Sequence, residues 1–256
     1  MRGIGLGRIL FAVSVAGLGA LSIEFHEFAL VWQLVPKTAA GHDALAIASG
    51  AILLVGGIGL VVPRAARMAA LMLTAVALGF VLALRVPPLA AQPLVEANWY
   101  GLSETLTFVA GAWTIFSMLP ARDGEALGRL GSVRVGQVLF ALALPALGLA
   151  HIFYMAQTAP LVPAWLPFHV PLAYLTGAAH IAAGAAILLG VLPRLAARLE
   201  AAMVSLFTLL VWVPMAAAAP ASGFNWSELL LSAAISGTAW AVAGSFADGQ
   251  RKTARV

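Results

Sequence analysis

Residues 43–85 read DALAIASGAILLVGGIGLVVPRAARMAALMLTAVALGFVLALR, and this stretch decides the fold. On each side of Pro63-Arg64 lies an apolar run of about 20 residues, the length that a helix needs to cross the hydrocarbon core of a bilayer. A helix also pairs its backbone polar groups internally, as a membrane span requires. The stretch therefore predicts two transmembrane helices joined by a short turn.

The composition of the whole chain agrees with a membrane protein. Of its 256 residues, 62% are hydrophobic and 9% are charged, with a mean hydropathy of +0.99. A soluble domain carries about 25% charged residues, so an ordinary soluble globular protein is excluded. The chain has no cysteine, which excludes disulfides and Cys-liganded zinc or iron–sulfur sites. Its 14 basic residues never form a run, so we expect no nucleic-acid partner.

The same apolar pattern recurs along the chain, and we predict an all-α polytopic membrane protein with eight transmembrane helices. The lipid bilayer is then its main partner. The predicted spans cover roughly residues 8–33, 43–62, 66–86, 98–119, 134–157, 170–192, 196–217 and 226–246.

The basic residues predict the orientation. With the N-terminus inside, only Lys37 and Arg85 fall outside, and the other twelve fall in inner segments. This asymmetry follows the positive-inside rule, and it predicts a bacterial inner-membrane protein with both termini in the cytoplasm. The twelve inner residues are Arg2, Arg8, Arg64, Arg67, Arg122, Arg129, Arg134, Arg194, Arg198, Arg251, Lys252 and Arg255.

The sequence also contains an internal repeat. Seven residues in and next to the first span recur 129 positions later. Two dipeptides, Pro-Arg and Asn-Trp, also recur at similar offsets. We therefore predict two parallel four-helix-bundle repeats, a divergent one over 1–130 and a second one over 131–256. The matches are Gly7, Leu10, Phe11, Ala12, Leu18, Gly19 and Ile23 with Gly136, Leu139, Phe140, Ala141, Leu147, Gly148 and Ile152, Pro63-Arg64 with Pro193-Arg194, and Asn98-Trp99 with Asn225-Trp226.

His151 and His180 form the sharpest candidate site. Ionisable residues within a membrane span are costly and are therefore functional candidates. The two histidines lie on the first and second helices of the second repeat, at depths that differ by only about 4 Å. Tyr154 and Thr176 lie on the same respective helix faces. The pair indicates a pocket for an organic ligand or quinone, a less favoured haem or metal site, or histidines that only hydrogen-bond neighbouring helices.

A second polar group lies in the first half. His26, flanked by Glu24 and Glu27, either caps its helix at the interface or forms a polar pocket with Glu104 and Arg85. All these groups are predicted in the outer half of the membrane, and the inner half is predicted to hold none.

Aromatic residues and prolines mark the outer boundary. Residues 161–167 contain Pro163, Trp165 and Pro167, which prevent a continuous helix, and they are expected to form a lid over the second repeat. The other aromatic residues are expected to form an interfacial belt. The predicted belt comprises Trp32, Trp99, Tyr100, Trp165, Trp212 and Trp226.

Four short motifs of the second half resemble the DoxX-like family of small four-helix membrane proteins. The resemblance covers about 134–246 and is faint over 7–119. It implies a four-helix bundle and, for some members, an association with sulfur-compound oxidation that feeds quinone or with oxidative-stress complexes. The motifs are Ala150-His151-Ile152-Phe153, the run 161–167, Tyr174-Leu175-Thr176-Gly177 and His180-Ile181-Ala182-Ala183-Gly184.

Two kinds of function are consistent with these features. The first is a membrane subunit of a quinone-linked redox system, with a redox partner subunit and a ligand pocket in the outer half. The second is a non-enzymatic binding or transport protein for a small hydrophobic solute, or a structural partner of a membrane complex. No Ser or Asp is placed beside a His for acyl transfer and no phosphate-binding loop occurs, so whether the protein is an enzyme is left open.

Overall fold

The computed structural model describes residues 5–29, 33, 35–121 and 131–253, with side chains up to residue 246. Within these ranges the chain is helical and contains no strand. Trp32 of the predicted aromatic belt lies outside the described residues. Of the predicted inner charges, Arg2, Arg122, Arg129 and Arg255 also lie outside them, and the side chains of Arg251 and Lys252 are not described.

Eight long helices form the described part of the molecule. They are α1 (Leu6–Phe25), α2 (His42–Val61), α3 (Ala66–Ala91), α4 (Glu96–Met118), α5 (Val133–Phe153), α6 (His169–Leu189), α7 (Pro193–Ala218) and α8 (Gly223–Thr253). Two short helices, Met155–Thr158 and Ala159–Leu161, lie between α5 and α6.

Seven of these helices are long and apolar enough to cross a membrane, namely all but α4. The helix α4 is 23 residues long, but it carries Ser103, Glu104, Thr105 and Thr107 in its buried face. The protein is therefore described as a multi-pass helical membrane protein, and an eighth span remains a prediction.

The helices enclose two hydrophobic cores. One core is formed by α1–α4 together with Leu231, Ala234 and Ala241 of α8. The other is formed by α5–α8 together with Ala110 of α4. The helices α4 and α8 thus contribute to both cores, and α1 packs on α8 while α5 packs on α4.

Three arginines join helix ends on one side of the molecule. Arg8 of α1 donates from Nε to the Leu60 carbonyl at the end of α2, at 2.6 Å. Arg67 of α3 donates to the Leu119 carbonyl after α4, at 2.7 Å, and Arg134 of α5 donates to the carbonyls of Ile187 and Leu188 in α6. Cations at helix C-termini pair with otherwise unsatisfied carbonyls and with the helix dipole. We call this face the arginine side.

A π-helical turn interrupts both α3 and α7. These turns are Val81–Arg85 and Thr208–Trp212. Each is followed by a Val-Pro dipeptide, Val86-Pro87 or Val213-Pro214. Proline has no N–H to donate and its ring clashes with the carbonyl four residues earlier, so the helix widens just before it instead of breaking.

The observed helix boundaries correct several predictions. The helix α1 ends at Phe25 rather than near residue 33, because His26 adopts the left-handed conformation with φ 52° and ψ 33°. The helix α5 ends at Phe153, where Tyr154 leaves the helical conformation. By contrast, α3 continues to Ala91 beyond its prolines, because the π-helical turn accommodates them.

Candidate functional site

The rings of His151 and His180 meet between α5 and α6. Their centroids lie 5.2 Å apart with an interplanar angle of 48°. The helices approach closely here because glycines face each other: a Cβ on Gly148 would lie 2.4 Å from the Gly177 carbonyl oxygen, and one on Gly177 would lie 2.7 Å from that of Gly148. The structure therefore brings together the two histidines that the sequence singled out.

A third residue, Glu200 of α7, completes the cluster. Its Oε1 lies 2.7 Å from Nδ1 of His180, and both residues are buried, at 2% and 3% exposure. Its Oε2 is buried and has no hydrogen-bond partner among the described residues. A buried polar atom without a partner is costly, and in this cluster Oε2 is a position where a ligand or water could bind.

The hydrogen bond of His151 fixes its tautomer. Its Nδ1 lies 2.9 Å from the carbonyl oxygen of Leu147. Because a carbonyl oxygen only accepts, Nδ1 carries the proton and donates. In the neutral ring the lone pair is therefore on Nε2, which can accept a proton or a hydrogen bond from a ligand.

Phe207 lies against both imidazoles. Its ring centroid is 6.2 Å from that of His151 and 6.2 Å from that of His180. It is the last residue before the π-helical turn Thr208–Trp212 of α7, a type of irregularity that is frequent at functional sites. The cluster thus combines two imidazoles, one carboxyl group and one aromatic face.

The cluster lies near the middle of α6 and in the half of α7 nearer the arginine side. His180 lies about 16 Å from the first residue of α6 and about 14 Å from its last, at 1.5 Å per residue. Glu200 lies about 10 Å from the first residue of α7, on the arginine side. Glu200 is buried, and sequence reasoning did not include it among the ionisable groups of the membrane spans.

The other residues predicted around the histidine pair make separate contacts. The ring of Tyr154 contacts that of Tyr100 in α4, with centroids 6.5 Å apart, and the hydroxyl of Thr176 donates to the Ala173 carbonyl of its own helix. Burial and the Glu96 carboxyl raise the pKa of the Tyr154 phenol above its usual value. Trp165, expected in a lid, is 71% exposed.

Glu104 belongs to a second buried group in the first half. Its carboxyl accepts a hydrogen bond from the Tyr100 hydroxyl and lies within electrostatic range of Arg85. The guanidinium of Arg85 also donates to the Thr105 hydroxyl at 3.2 Å, and both charged residues are buried.

His26 is not part of this group. It is exposed at the C-terminal end of α1, so the structure favours the expectation of a helix cap over that of a pocket shared with Glu104.

Among the described residues, no group of three or more His, Asp or Glu side chains is placed to hold a metal ion.

Comparisons with protein-family models, with curated proteins and with solved structures gave no match. The DoxX-like resemblance therefore stays a prediction that rests on the quoted motifs.

Proposed function

We propose that the protein is a membrane subunit of a quinone-linked redox system and that it binds a lipid-soluble, quinone-type molecule at His151, His180 and Glu200. The observation that carries the proposal is the buried His180–Glu200 pair, whose second carboxyl oxygen has no partner. Such an atom is costly to bury unless a ligand or water pairs with it.

The chemistry of the site suits a molecule that exchanges protons at its oxygen atoms. A histidine hydrogen-bonded to a carboxylate is an arrangement that passes protons to and from a bound oxygen atom. His151, partly exposed on α5, offers a second proton acceptor at Nε2, and Phe207 offers a flat apolar surface to a ring. Electrons would pass to or from a redox partner subunit, because the chain contains no cysteine for a dithiol or an iron–sulfur cluster.

The proposal includes a duplicated architecture of two parallel four-helix repeats, with α4 as the eighth span. The same close glycine contact between the first two helices of each half supports the duplication. A Cβ on Gly19 would lie 2.5 Å from the Gly50 carbonyl oxygen, and one on Gly148 would lie 2.4 Å from that of Gly177. In this register Ser22 and Leu53 correspond to His151 and His180, so the proposed site belongs to the second half alone.

Side-chain hydrogen bonds also match between the halves. Asn98 and Asn225 each donate to a carbonyl ten residues earlier, those of Pro88 and Met215. The following tryptophans each donate to a carbonyl six residues earlier, at 2.8 and 2.9 Å. Contacts of this kind depend on specific polar residues, so they favour duplication over chance similarity between apolar helices.

The proposed location is a bacterial inner membrane with both termini in the cytoplasm. Support comes from the arginine side, where Arg8, Arg67 and Arg134 bind helix-end carbonyls. Basic residues concentrate on the cytoplasmic side of membrane proteins. The DoxX-like resemblance belongs to the same proposal, because some members of that family are associated with quinone-linked oxidation.

Purification in mild detergent tests the function. We expect a lipid-soluble quinone-type molecule in the organic extract of the wild-type protein, detected by absorbance and mass spectrometry. His180→Phe should reduce its amount at least about tenfold, because one lost buried hydrogen bond already costs about a factor of ten. His26→Phe, at an exposed cap, should leave it unchanged.

Two results would contradict the proposal. One is equal recovery of the molecule from wild type and His180→Phe protein that accumulates normally in the membrane. The other is the recovery of a different small hydrophobic solute with the same dependence on His180, which would favour a binding or transport protein instead.

A further inference from the structure

The hydrogen-bonding atoms that the site leaves unpaired define which form of a ligand it accepts. A buried carboxylate with a net charge is costly, so the His180–Glu200 pair is stable when it is electrically neutral as a whole. In that state one proton lies in the 2.7 Å bond between Nδ1 and Oε1, and a second lies either on Nε2 of His180 or on Oε2 of Glu200. In both arrangements the pair presents one donor and one acceptor at these two atoms.

His151 adds a second acceptor. Its Nδ1–H is already used by the Leu147 carbonyl, so its Nε2 carries a lone pair in the neutral ring. The neutral form is favoured because the ring packs against those of His180 and Phe207, and removing a charged imidazole from water is costly. The three residues together therefore offer one donor and two acceptors.

A hydroxyl oxygen is the group that matches this set. It accepts from Nε2–H of His180 and donates to Oε2 of Glu200 or to Nε2 of His151. A carbonyl oxygen only accepts, so it can pair with the donor but leaves both acceptors unpaired. A site whose buried polar groups lose their partners discriminates strongly against the ligand that lacks the hydroxyl.

We infer that the site selects the reduced, hydroxyl-bearing form of its ligand, a hydroquinone, over the oxidised quinone. This inference rests on the proposed function, because it assumes that a quinone-type molecule binds at His151, His180 and Glu200. It adds the redox state of the bound molecule, and it assigns the discrimination to Glu200 Oε2.

Isothermal titration of the purified protein in detergent, under anaerobic conditions, tests the inference. The probes are a decyl-substituted benzohydroquinone, its oxidised benzoquinone and its dimethyl ether, with empty micelles as the blank. We expect the hydroquinone to bind at least about tenfold more tightly than either of the other two, because each of those leaves both acceptors unpaired.

Variants then locate the discrimination. Glu200→Met keeps a similar side-chain length but removes both carboxyl oxygens and therefore the acceptor at Oε2, so the preference for the hydroquinone should fall by about tenfold. Glu24→Met, an exposed change on α1, should keep the wild-type preference. If Glu200→Met does not fold, the three probes on the wild-type protein still decide the matter.

The possible results separate the two proposals. Equal binding of hydroquinone and quinone, or tighter binding of the quinone, would overturn this inference while leaving the site in place. An unchanged preference in folded Glu200→Met would also overturn it. If none of the three probes bound to the wild-type protein, the proposed function would fail together with the inference.

Discussion

At the scale of single residues, the two buried glutamates of the described chain have different surroundings. Glu200 pairs with a histidine and keeps one oxygen without a partner. Glu104 accepts a hydrogen bond from Tyr100 and has the Arg85 guanidinium within electrostatic range. A carboxyl group with both a cation and a phenol beside it is stabilised by the protein itself, so Glu104 has a structural role that Glu200 lacks.

Glu104→Leu should destabilise the protein. The substitution removes the carboxyl oxygen that accepts the Tyr100 hydroxyl proton and places an apolar group in the buried cluster with Arg85. Leaving a buried donor without its partner costs about 1–3 kcal/mol, which thermal or denaturant unfolding in detergent would detect. Glu24→Leu, on the exposed surface of α1, should change the free energy of unfolding by less than about 0.5 kcal/mol. Equal stability of the two variants would contradict a stabilising role for Glu104.

Sequence reasoning found the histidine pair but not its carboxyl partner. His151 and His180 stand out because a lone imidazole in an apolar span is conspicuous. Glu200 lies two residues after Arg198, near the start of its helix, where a charged residue is ordinary. Only the packing of α7 on α6 shows that it is buried.

Tyr154 was expected on the same helix face as His151, but the structure places it elsewhere. The helical spacing rule applies only inside a helix, and Tyr154, with φ −109° and ψ 39°, lies just beyond the end of α5.

At the scale of helices, the pairs α1–α2 and α5–α6 depend on glycines at their crossings. Small residues allow backbones to approach in membranes, where no water-driven force holds helices together. This part of the fold follows from the sequence, since the glycines recur in both halves. The π-helical turns do not, because whether a proline ends a helix or only widens it depends on how the neighbouring helices pack.

Gly148→Ala should disrupt the crossing of α5 and α6. The added methyl group would lie 2.4 Å from the Gly177 carbonyl oxygen and 2.8 Å from Ile181, so the helices must move apart. Overpacking of this kind costs about 1–3 kcal/mol, and the thermal midpoint in detergent should fall accordingly.

Gly79→Ala is the matched control for that variant. Nothing lies within 4 Å of a Cβ at this helical glycine, so alanine should leave the stability unchanged or raise it slightly, as expected from helix propensity. If Gly148→Ala were as stable as Gly79→Ala, the close contact would not hold the two helices together.

At the scale of the whole molecule, the arginine side and the opposite side differ in chemistry. Guanidinium groups bind helix ends on the arginine side, whereas Glu27 forms an ion pair with the exposed Lys37 on the other side. The sequence predicted a multi-pass helical protein, but of its eight expected spans seven are long and apolar enough to cross a membrane in the described residues. The sharing of α4 and α8 between two cores could not be read from the sequence, because the apolar pattern does not specify which helices are neighbours.

Cysteine labelling tests the proposed orientation. The chain has no cysteine of its own, so Lys37→Cys and Arg64→Cys each introduce a single thiol at an exposed position. In intact cells a membrane-impermeant thiol reagent should label position 37 and not position 64, and permeabilised cells should show labelling of both. Labelling at 64 but not at 37 would reverse the orientation.

The packing of α1 on α8 has a consequence for how the protein is made. The tightest contact of Gly7 is with α8, where its Cβ would lie 2.4 Å from the backbone nitrogen of Ala241. The ribosome synthesises α1 before α8, so α1 enters the bilayer while six intervening long helices are still to be made and before this neighbour exists. Until then the face around Gly7 is covered by lipid or by another protein, and this contact can form only after α8 has been inserted.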